Sequence, residues 1–221
     1  MDATQIIQVI VLYAIPGIFA ITLHEAAHGY AARHFGDPTA AQAGRISLNP
    51  VRHIDPIGTL LMPALILFFS KGQFAFGWAK PVPVNFGRLR HPKRDMLWVA
   101  AAGPGANLAM AILWAVLIKV AGSLPAGYFT EPLLLMARGG VIINVVLMVL
   151  NLLPLPPLDG GRIAVSLLPH GVADRYARIE PFGLVIVLLL MFTGVLSVIM
   201  WPFIAATISA IAGLFGIGWI F

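Results

Sequence analysis

The sequence contains no cysteine and few charged side chains. Among its 221 residues, 10% are charged and 59% are apolar, whereas a soluble domain has about 25% charged and about 45–50% apolar residues. The absence of cysteine excludes disulfides, thiolate metal ligands and cysteine nucleophiles. The shortage of charge excludes a water-soluble globular protein, and the length allows about five or six membrane-spanning segments.

The few charged residues are mostly basic. Lysine and arginine outnumber aspartate and glutamate by 14 to 9, which gives a net charge of +5. A basic balance can indicate nucleic-acid binding, but in a membrane protein basic residues first report orientation. We therefore expect no nucleic-acid partner. The N-terminus lacks the basic region of a cleavable signal peptide, so we expect the first apolar run to remain in the mature protein.

Long apolar runs predict an all-α polytopic membrane protein, with about five transmembrane helices and one re-entrant segment. The predicted spans are Thr4 to Phe35, Met96 to Ala121, Glu131 to Leu153, and two helices within Phe182 to Phe221 that divide between Gly194 and Pro202. The run from Ile57 to Ser70 has only about 14 residues, which is short for a span and suits a re-entrant segment.

Shorter segments are predicted from their local sequence. Gly44 to Asn49 and Pro81 to Phe86 are brief and partly alternating, so we expect short membrane-associated β-strands there. Gly160 to Leu168 is predicted to form a short helix, and Pro169 to Pro181 a polar turn.

An H-E-x-x-H pattern, His24-Glu25-Ala26-Ala27-His28, lies within the first predicted span. On a helix the two histidines lie one turn apart and about 40° apart around the axis, so both imidazoles can reach one zinc ion. Glu25 flanks that site and can take a proton from water. A satisfied polar cluster is the alternative, but ionisable residues inside a membrane are functional candidates by default.

A catalytic zinc site of this type needs a third protein ligand. His34 has the metzincin spacing, but Ala31 replaces the glycine of that motif, and a continuous helix points His34 away from His28. Asp159 is the better candidate, because it follows proline-rich backbone and precedes two flexible glycines, where the chain can bend toward a metal. Its alternative role is the N-cap of the short helix that follows, and both roles could hold together.

Three ordered motifs resemble those of the site-2 protease family of intramembrane zinc metalloproteases. They are His24 to His28, Ala102-Gly103-Pro104-Gly105-Ala106-Asn107, and Asn151 to Gly160 in the family's N-x-x-P-x-x-P-L-D-G form. The resemblance implies a site in which His24, His28 and Asp159 hold zinc, Glu25 is the general base, and Asn151 contacts substrate. Beside that site the resemblance implies support from Gly103, Pro104 and Asn107, with Asn107 a candidate substrate-binding residue. Small residues for close helix packing are the alternative.

The resemblance implies a function as well as a site. It implies Zn²⁺ as cofactor and hydrolysis of peptide bonds within or near transmembrane segments of membrane proteins in the lipid bilayer, as in regulated intramembrane proteolysis. No stretch has the length or composition of a PDZ or CBS domain, so the chain is similar to compact bacterial members. We expect a single domain over residues 1–221, with a catalytic core at about 4–168 and extra helices at 182–221. The two predicted strands would lie near the active site and could clamp an extended substrate.

Two other classes of function stay open at this point. A membrane metal transporter would usually distribute its ligands along a path on both sides of the midplane, whereas these candidates cluster at one end. A relative that binds substrates without cutting them should have lost Glu25, which is present.

Zinc binding by His28 and Asp159 requires both residues to lie at the same membrane depth. Two predicted spans separate them, so the run from Ile57 to Ser70 must not cross. Without that crossing the 14 basic residues divide 12 to 2 between the two sides, and with it they divide 9 to 5. The positive-inside rule favours 12 to 2. We therefore expect a bacterial cytoplasmic membrane protein with its N-terminus outside and its active site toward the cytosol.

Overall fold

The computed structural model describes residues 3–69, 77, 79–125 and 127–221, and this part of the chain is helical. Its α-helices are α1 (Ala3–His34), α2 (Thr39–Gln42), α3 (Met62–Phe69), α4 (Pro92–Gly122), α5 (Thr130–Leu152), α6 (Asp159–Leu167), α7 (His170–Ala177), α8 (Glu180–Phe192) and α9 (Val195–Phe215). Short 3₁₀ turns occur at Pro50–Arg52, Phe86–Arg88 and Gly218–Ile220, and a π-helix at Pro56–Leu61.

Three of these helices, α4, α5 and α9, are long and apolar enough to cross a membrane. Helix α1 has 32 residues, which corresponds to about 48 Å at 1.5 Å per residue. Large apolar side chains such as Leu113, Val198 and Phe203 are exposed on the outer faces of the helices, where contact with lipid leaves no apolar surface in water. These features describe a multi-pass membrane protein.

Small residues allow α1, α4 and α5 to approach closely. Gly140 on α5 packs against Trp114 on α4, and a Cβ at Gly140 would lie 2.4 Å from Trp114 Cδ2. Ala111, Ala115 and Ala137 are fully buried in the same core. Since transmembrane helices associate through such close contacts, polar side chains on the three helices can meet in the interior.

The C-terminal apolar region divides where the sequence predicts. Helices α8 and α9 are separated at Gly194, whose φ of +77° is the left-handed conformation that glycine adopts most readily. The predicted polar turn from Pro169 to Pro181 is wrong, because it contains α7 and the start of α8. Ala173 of α7 is buried, and the Tyr176 hydroxyl donates to the Pro154 carbonyl, so α7 packs onto the proline-rich segment.

The prediction of β-strands at Gly44 to Asn49 and Pro81 to Phe86 does not hold, because these described segments contain no strand. Pro81 and Pro83 have no N–H to donate to a neighbouring strand. The intervening Val82 N–H donates to Glu25 Oε2 (2.7 Å), and the Asn85 N–H donates to Asp37 Oδ2 (2.6 Å). The backbone donors of the second segment therefore bind carboxylates instead of forming a strand ladder.

The run predicted as re-entrant forms the π-helix at Pro56–Leu61 followed by α3, while its last residue, Ser70, lies outside the described residues. Together the two described helices contain 14 residues, 6 and 8. That length spans about 21 Å, which is less than the roughly 30 Å of a bilayer's hydrocarbon core.

Candidate metal centre

Helix α1 and the start of α6 bring three electron-pair donors together. His24 Nε2 and His28 Nε2 lie 3.1 Å apart, and Asp159 Oδ2 lies 3.2 Å from the first and 3.3 Å from the second. The four-residue spacing of the histidines produces this arrangement, because residues one turn apart on a helix share a face. His24 is only 8% exposed, so the cluster is largely shielded from solvent.

The hydrogen bonds of Nδ1 in both histidines determine whether Nε2, which faces the cluster, carries a proton or a lone pair. His24 Nδ1 lies 2.7 Å from Asn107 Oδ1, and His28 Nδ1 lies 2.7 Å from the Val99 carbonyl oxygen. Both partners are acceptors, so each Nδ1 carries the proton and each Nε2 presents a lone pair. The inner cluster therefore consists of two lone pairs and the carboxylate oxygen of Asp159, which is buried and makes no hydrogen bond.

Three acceptors at this separation repel one another unless a cation lies between them. Two imidazole nitrogens and one carboxylate oxygen form a donor set that suits a catalytic zinc site, since it leaves a position open for water. Gly103 on α4 leaves the space that such an ion requires: a Cβ there would lie 2.4 Å from His28 Nε2 and 2.6 Å from His24 Nε2. The residues present therefore fit a zinc ion.

Glu25 lies beside the metal cluster without belonging to it. Its Oε2 accepts the Val82 N–H, which orients the carboxylate. The loop that carries Val82 is held by hydrogen bonds to the segment around Arg45 and His53. Arg45 Nη2 donates to the Lys80 carbonyl (2.7 Å), and the Lys80 N–H donates to the His53 carbonyl (2.9 Å).

The proline-rich segment before α6 positions Asp159. Helix α5 ends at Leu152, before Pro154, and Asp159 is the first residue of α6. The N-cap position belongs to Leu158, and no side chain caps α6. The alternative assignment of Asp159 as an N-cap is therefore wrong, and its carboxylate faces the histidines.

A cavity of about 310 Å³ opens at the metal cluster. Glu25, Val82, Asn151 and Arg162 line it together with the three clustered residues. The Arg162 guanidinium lies 5.0 Å from the centre of the Phe86 ring, a distance at which cations and aromatic faces attract. The cavity thus combines a carboxylate, an amide and a guanidinium with apolar walls.

Comparison with known proteins identifies the family. Residues 122–194 match Peptidase family M50. The chain is 38% identical over 205 residues to "Putative zinc metalloprotease YwhC" of Bacillus subtilis, an alignment that covers 90% of this chain and 88% of that protein. The chain belongs to Peptidase family M50, the site-2 protease family.

A further M50 relative, "Putative zinc metalloprotease Rip2" of Mycolicibacterium smegmatis, is 30% identical over 186 residues, covering 81% of this chain and 66% of that protein. No solved structure gives a significant match. The M50 chain described here is a zinc metalloendopeptidase, with zinc as its cofactor.

The two asparagines of the M50 motifs occupy different places. Asn151, near the end of α5, lines the cavity, and its Nδ2 donates to the Leu147 carbonyl (3.0 Å). Asn107 is 0% exposed and lies behind His24, outside the cavity lining. Asn107 therefore contacts His24 and does not line the cavity.

Several groups that surround the M50 site are not evident from the motifs in the sequence. Two are main-chain atoms, the Val82 N–H and the Val99 carbonyl, which no side-chain pattern reveals. The roles of the Asn144 and Arg162 side chains are likewise not predicted by the motifs. Asn144 did leave a signal, because it is a polar residue inside an apolar span and lies two turns before Asn151, on the same helix face.

The remaining histidines lie away from the cluster. His34 is exposed at the end of α1, as a continuous helix requires, and His91 and His170 are also exposed. His53 is buried, and its Nε2 donates to the Ser47 carbonyl (2.8 Å). Among the described residues, His24, His28 and Asp159 form the group with metal-ligand geometry.

Proposed function

We propose that this M50 protein is an intramembrane zinc metalloprotease that hydrolyses peptide bonds within or near transmembrane segments of membrane proteins, as in regulated intramembrane proteolysis. His24, His28 and Asp159 hold the zinc ion, and Glu25 is the general base. The observation that carries the proposal is the convergence of three electron-pair donors, from His24, His28 and Asp159, in one cavity that the Glu25 carboxylate also lines, among helices of membrane-spanning length.

The chemistry divides between the metal and the side chains of the chain. When bound, zinc supplies the Lewis acidity that activates water and polarises a peptide carbonyl. Glu25 accepts the proton of the attacking water at Oε1, since Oε2 already accepts the Val82 N–H. It then donates this proton to the amine of the leaving peptide, so the carboxylate returns to its initial state.

Asn151 is the substrate-binding residue in this proposal. It lines the cavity that contains Glu25 and the metal ligands. Its amide donates to the substrate backbone or to the oxyanion that develops on the scissile carbonyl. Removal of a comparable oxyanion donor costs about 2.7–4 kcal/mol in other hydrolases.

The same arrangement supports a proposal for the membrane orientation. Helices α4 and α5 lie between His28 and Asp159 in the chain and cross the membrane twice, which returns Asp159 to the side of His28. We propose that this side is the cytosol of a bacterial cell, because 12 of the 14 basic residues then lie there. The proposed topology has the N-terminus outside, about five spans and one re-entrant segment, and its shortest span is α8, whose 13 residues require neighbouring residues to complete a crossing.

Replacing Glu25 with glutamine tests the proposed function. Glutamine keeps an oxygen that accepts the Val82 N–H but cannot serve as the base, so cleavage of a membrane-protein substrate should be lost while zinc content stays at one ion per chain. Cleavage is measured from the fragments of membrane proteins in cells that carry the wild-type or the variant chain. Zinc content is measured by metal analysis of the purified chains.

Glu131→Gln is the matched control, because Glu131 is an exposed acid in the first turn of α5 and lies outside the cavity. It should leave both cleavage and zinc content unchanged. Cleavage that persists in Glu25→Gln would refute the assigned base. Metal transport without any cleavage, in the wild type and in the variant alike, would refute the protease assignment.

A further inference from the structure

A chain of side-chain hydrogen bonds runs from α5 through α4 to the metal cluster on α1. Asn144 Nδ2 donates to the Gly140 carbonyl (2.8 Å), and Asn144 Oδ1 accepts from Asn107 Nδ2 (3.0 Å). Asn107 Oδ1 in turn accepts from His24 Nδ1 (2.7 Å). Both asparagines are 0% exposed, so water does not compete for these bonds.

The orientation of each amide in this chain is determined by its neighbours. The Gly140 carbonyl can only accept, so it binds the Nδ2 of Asn144 and leaves the Oδ1 pointing toward α4. Asn107 Nδ2 donates to that Oδ1 and also approaches the Ala20 carbonyl at 3.3 Å. Asn107 must therefore present its own Oδ1 to His24, which keeps the proton on Nδ1 and the lone pair on Nε2.

The two histidines depend on different kinds of support. His28 Nδ1 binds the Val99 main-chain carbonyl, which every residue type at that position supplies. His24 relies on a side chain, and that side chain is oriented by a second one. Outer partners of this type hold the ring and tautomer of a metal-ligating histidine, and their loss typically weakens metal binding by about 10–100-fold.

We propose that Asn144, acting through Asn107, is a positioning residue that sets the ring orientation and tautomer of His24 for zinc binding. Neither asparagine lines the cavity, so neither contacts the substrate. The inference rests on the proposed role of His24 as a zinc ligand. The inference gives Asn107 the function of orienting His24 from the side away from the metal. It also gives Asn144 a role in the site, although Asn144 lies seven residues before Asn151.

Zinc dissociation constants test the inference. They can be measured by chelator competition on the purified full chain and on Asn107→Leu, Asn144→Leu and the double variant. Asn107→Leu should weaken zinc binding by about 10–100-fold. Asn144→Leu should weaken it by a smaller factor, because Asn107 keeps its contact with the Ala20 carbonyl.

The double variant distinguishes a relay from two separate contributions. If Asn144 acts through Asn107, adding Asn144→Leu to Asn107→Leu leaves the dissociation constant unchanged, because the link is already broken. If the double variant instead weakens zinc binding by the product of the factors seen in the two single variants, the two asparagines act separately and the relay is wrong. The absorption spectrum of the Co²⁺-loaded chain should also change in the single variants, since the ring orientation of a ligand changes.

Val145→Ala is the matched control, because Val145 is a buried neighbour of Asn144 with no polar link to the cluster. It should lower the thermal stability and leave the zinc dissociation constant unchanged. A weakening as large as that of Asn144→Leu would attribute the effect to helix packing and overturn the inference. His24→Ala separates the two proposals. If the His24→Ala chain keeps zinc, the assignment of His24 as a ligand fails. If that chain loses zinc while Asn107→Leu and Asn144→Leu bind zinc normally, only the relay fails.

Discussion

Replacing Gly103 with alanine should remove zinc binding by placing a methyl group in the metal site. The added Cβ would lie 2.4 Å from His28 Nε2 and 2.6 Å from His24 Nε2. The rings cannot simply rotate away, because each Nδ1 is held at 2.7 Å by Asn107 or by the Val99 carbonyl. The methyl group and the ion therefore compete for the same space.

The size of the effect follows from the distances around Gly103. Ordinary contacts of a Cβ begin at 3.4 Å, so the His28 contact is about 1 Å too short. Zinc–nitrogen distances are about 2.0–2.1 Å, and a working site holds them within about 0.2 Å. A displacement of about 1 Å exceeds this tolerance roughly fivefold, and we expect zinc affinity to fall by at least about 100-fold.

Gly105→Ala provides the comparison, since a Cβ at Gly105 meets nothing within 4 Å. Both substitutions lie in α4 and both gain about 1 kcal/mol in helix propensity, so propensity does not distinguish them, whereas the contact with the two histidines does. Zinc dissociation constants and substrate cleavage should be normal in Gly105→Ala and lost in Gly103→Ala. Wild-type zinc affinity in Gly103→Ala would refute the location of the ion.

Three further predictions concern a loop carboxylate, the packing of helix α8 and the membrane topology. Burial alone would raise the pKa of the Asp37 carboxyl group. The hydrogen bonds that this carboxylate accepts outweigh burial and hold its pKa below the ordinary value of about 4. This carboxylate therefore stabilises the fold above about pH 4, so thermal unfolding should show the advantage of the wild type over Asp37→Asn shrinking as the pH falls below that value. Gly183→Ala places a Cβ 1.7 Å from the Pro156 carbonyl oxygen and should lower the free energy of unfolding by about 1–3 kcal/mol; Gly213→Ala, where a Cβ meets nothing, should not. A reporter fused after Lys71 should give a cytosolic signal, and an external signal there would contradict the topology.

Helix positions follow directly from the sequence. The predicted spans from Met96 to Ala121 and from Glu131 to Leu153 agree with α4 and α5 within a few residues. Long apolar runs bounded by prolines and polar residues leave little choice of structure in a bilayer, because only helices satisfy the backbone there. The H-E-x-x-H spacing predicts that His24 and His28 share a helix face, the resemblance adds Asp159 to their site, and the structure brings the three side chains together.

Contacts between distant segments are harder to foresee. Whether Val82 donates to a strand or to Glu25 depends on the position of a loop that is 57 residues away from Glu25 in the sequence. The role of Asn107 depends on the rotation of α4, which decides whether its amide faces the cavity or the back of His24. Hydropathy places a helix in the membrane but leaves this rotation open, and side-chain packing decides it.

Two of the groups that hold the site belong to the main chain: the Val82 N–H at Glu25 and the Val99 carbonyl at His28. Alanine scanning would change the packing of both valines and preserve both contacts. Only proline at position 82 removes its donor, and the carbonyl at position 99 survives every substitution. Apart from proline at position 82, the residue type at these two positions therefore affects packing but not these two contacts, so this part of the support for the site leaves no record in residue identity.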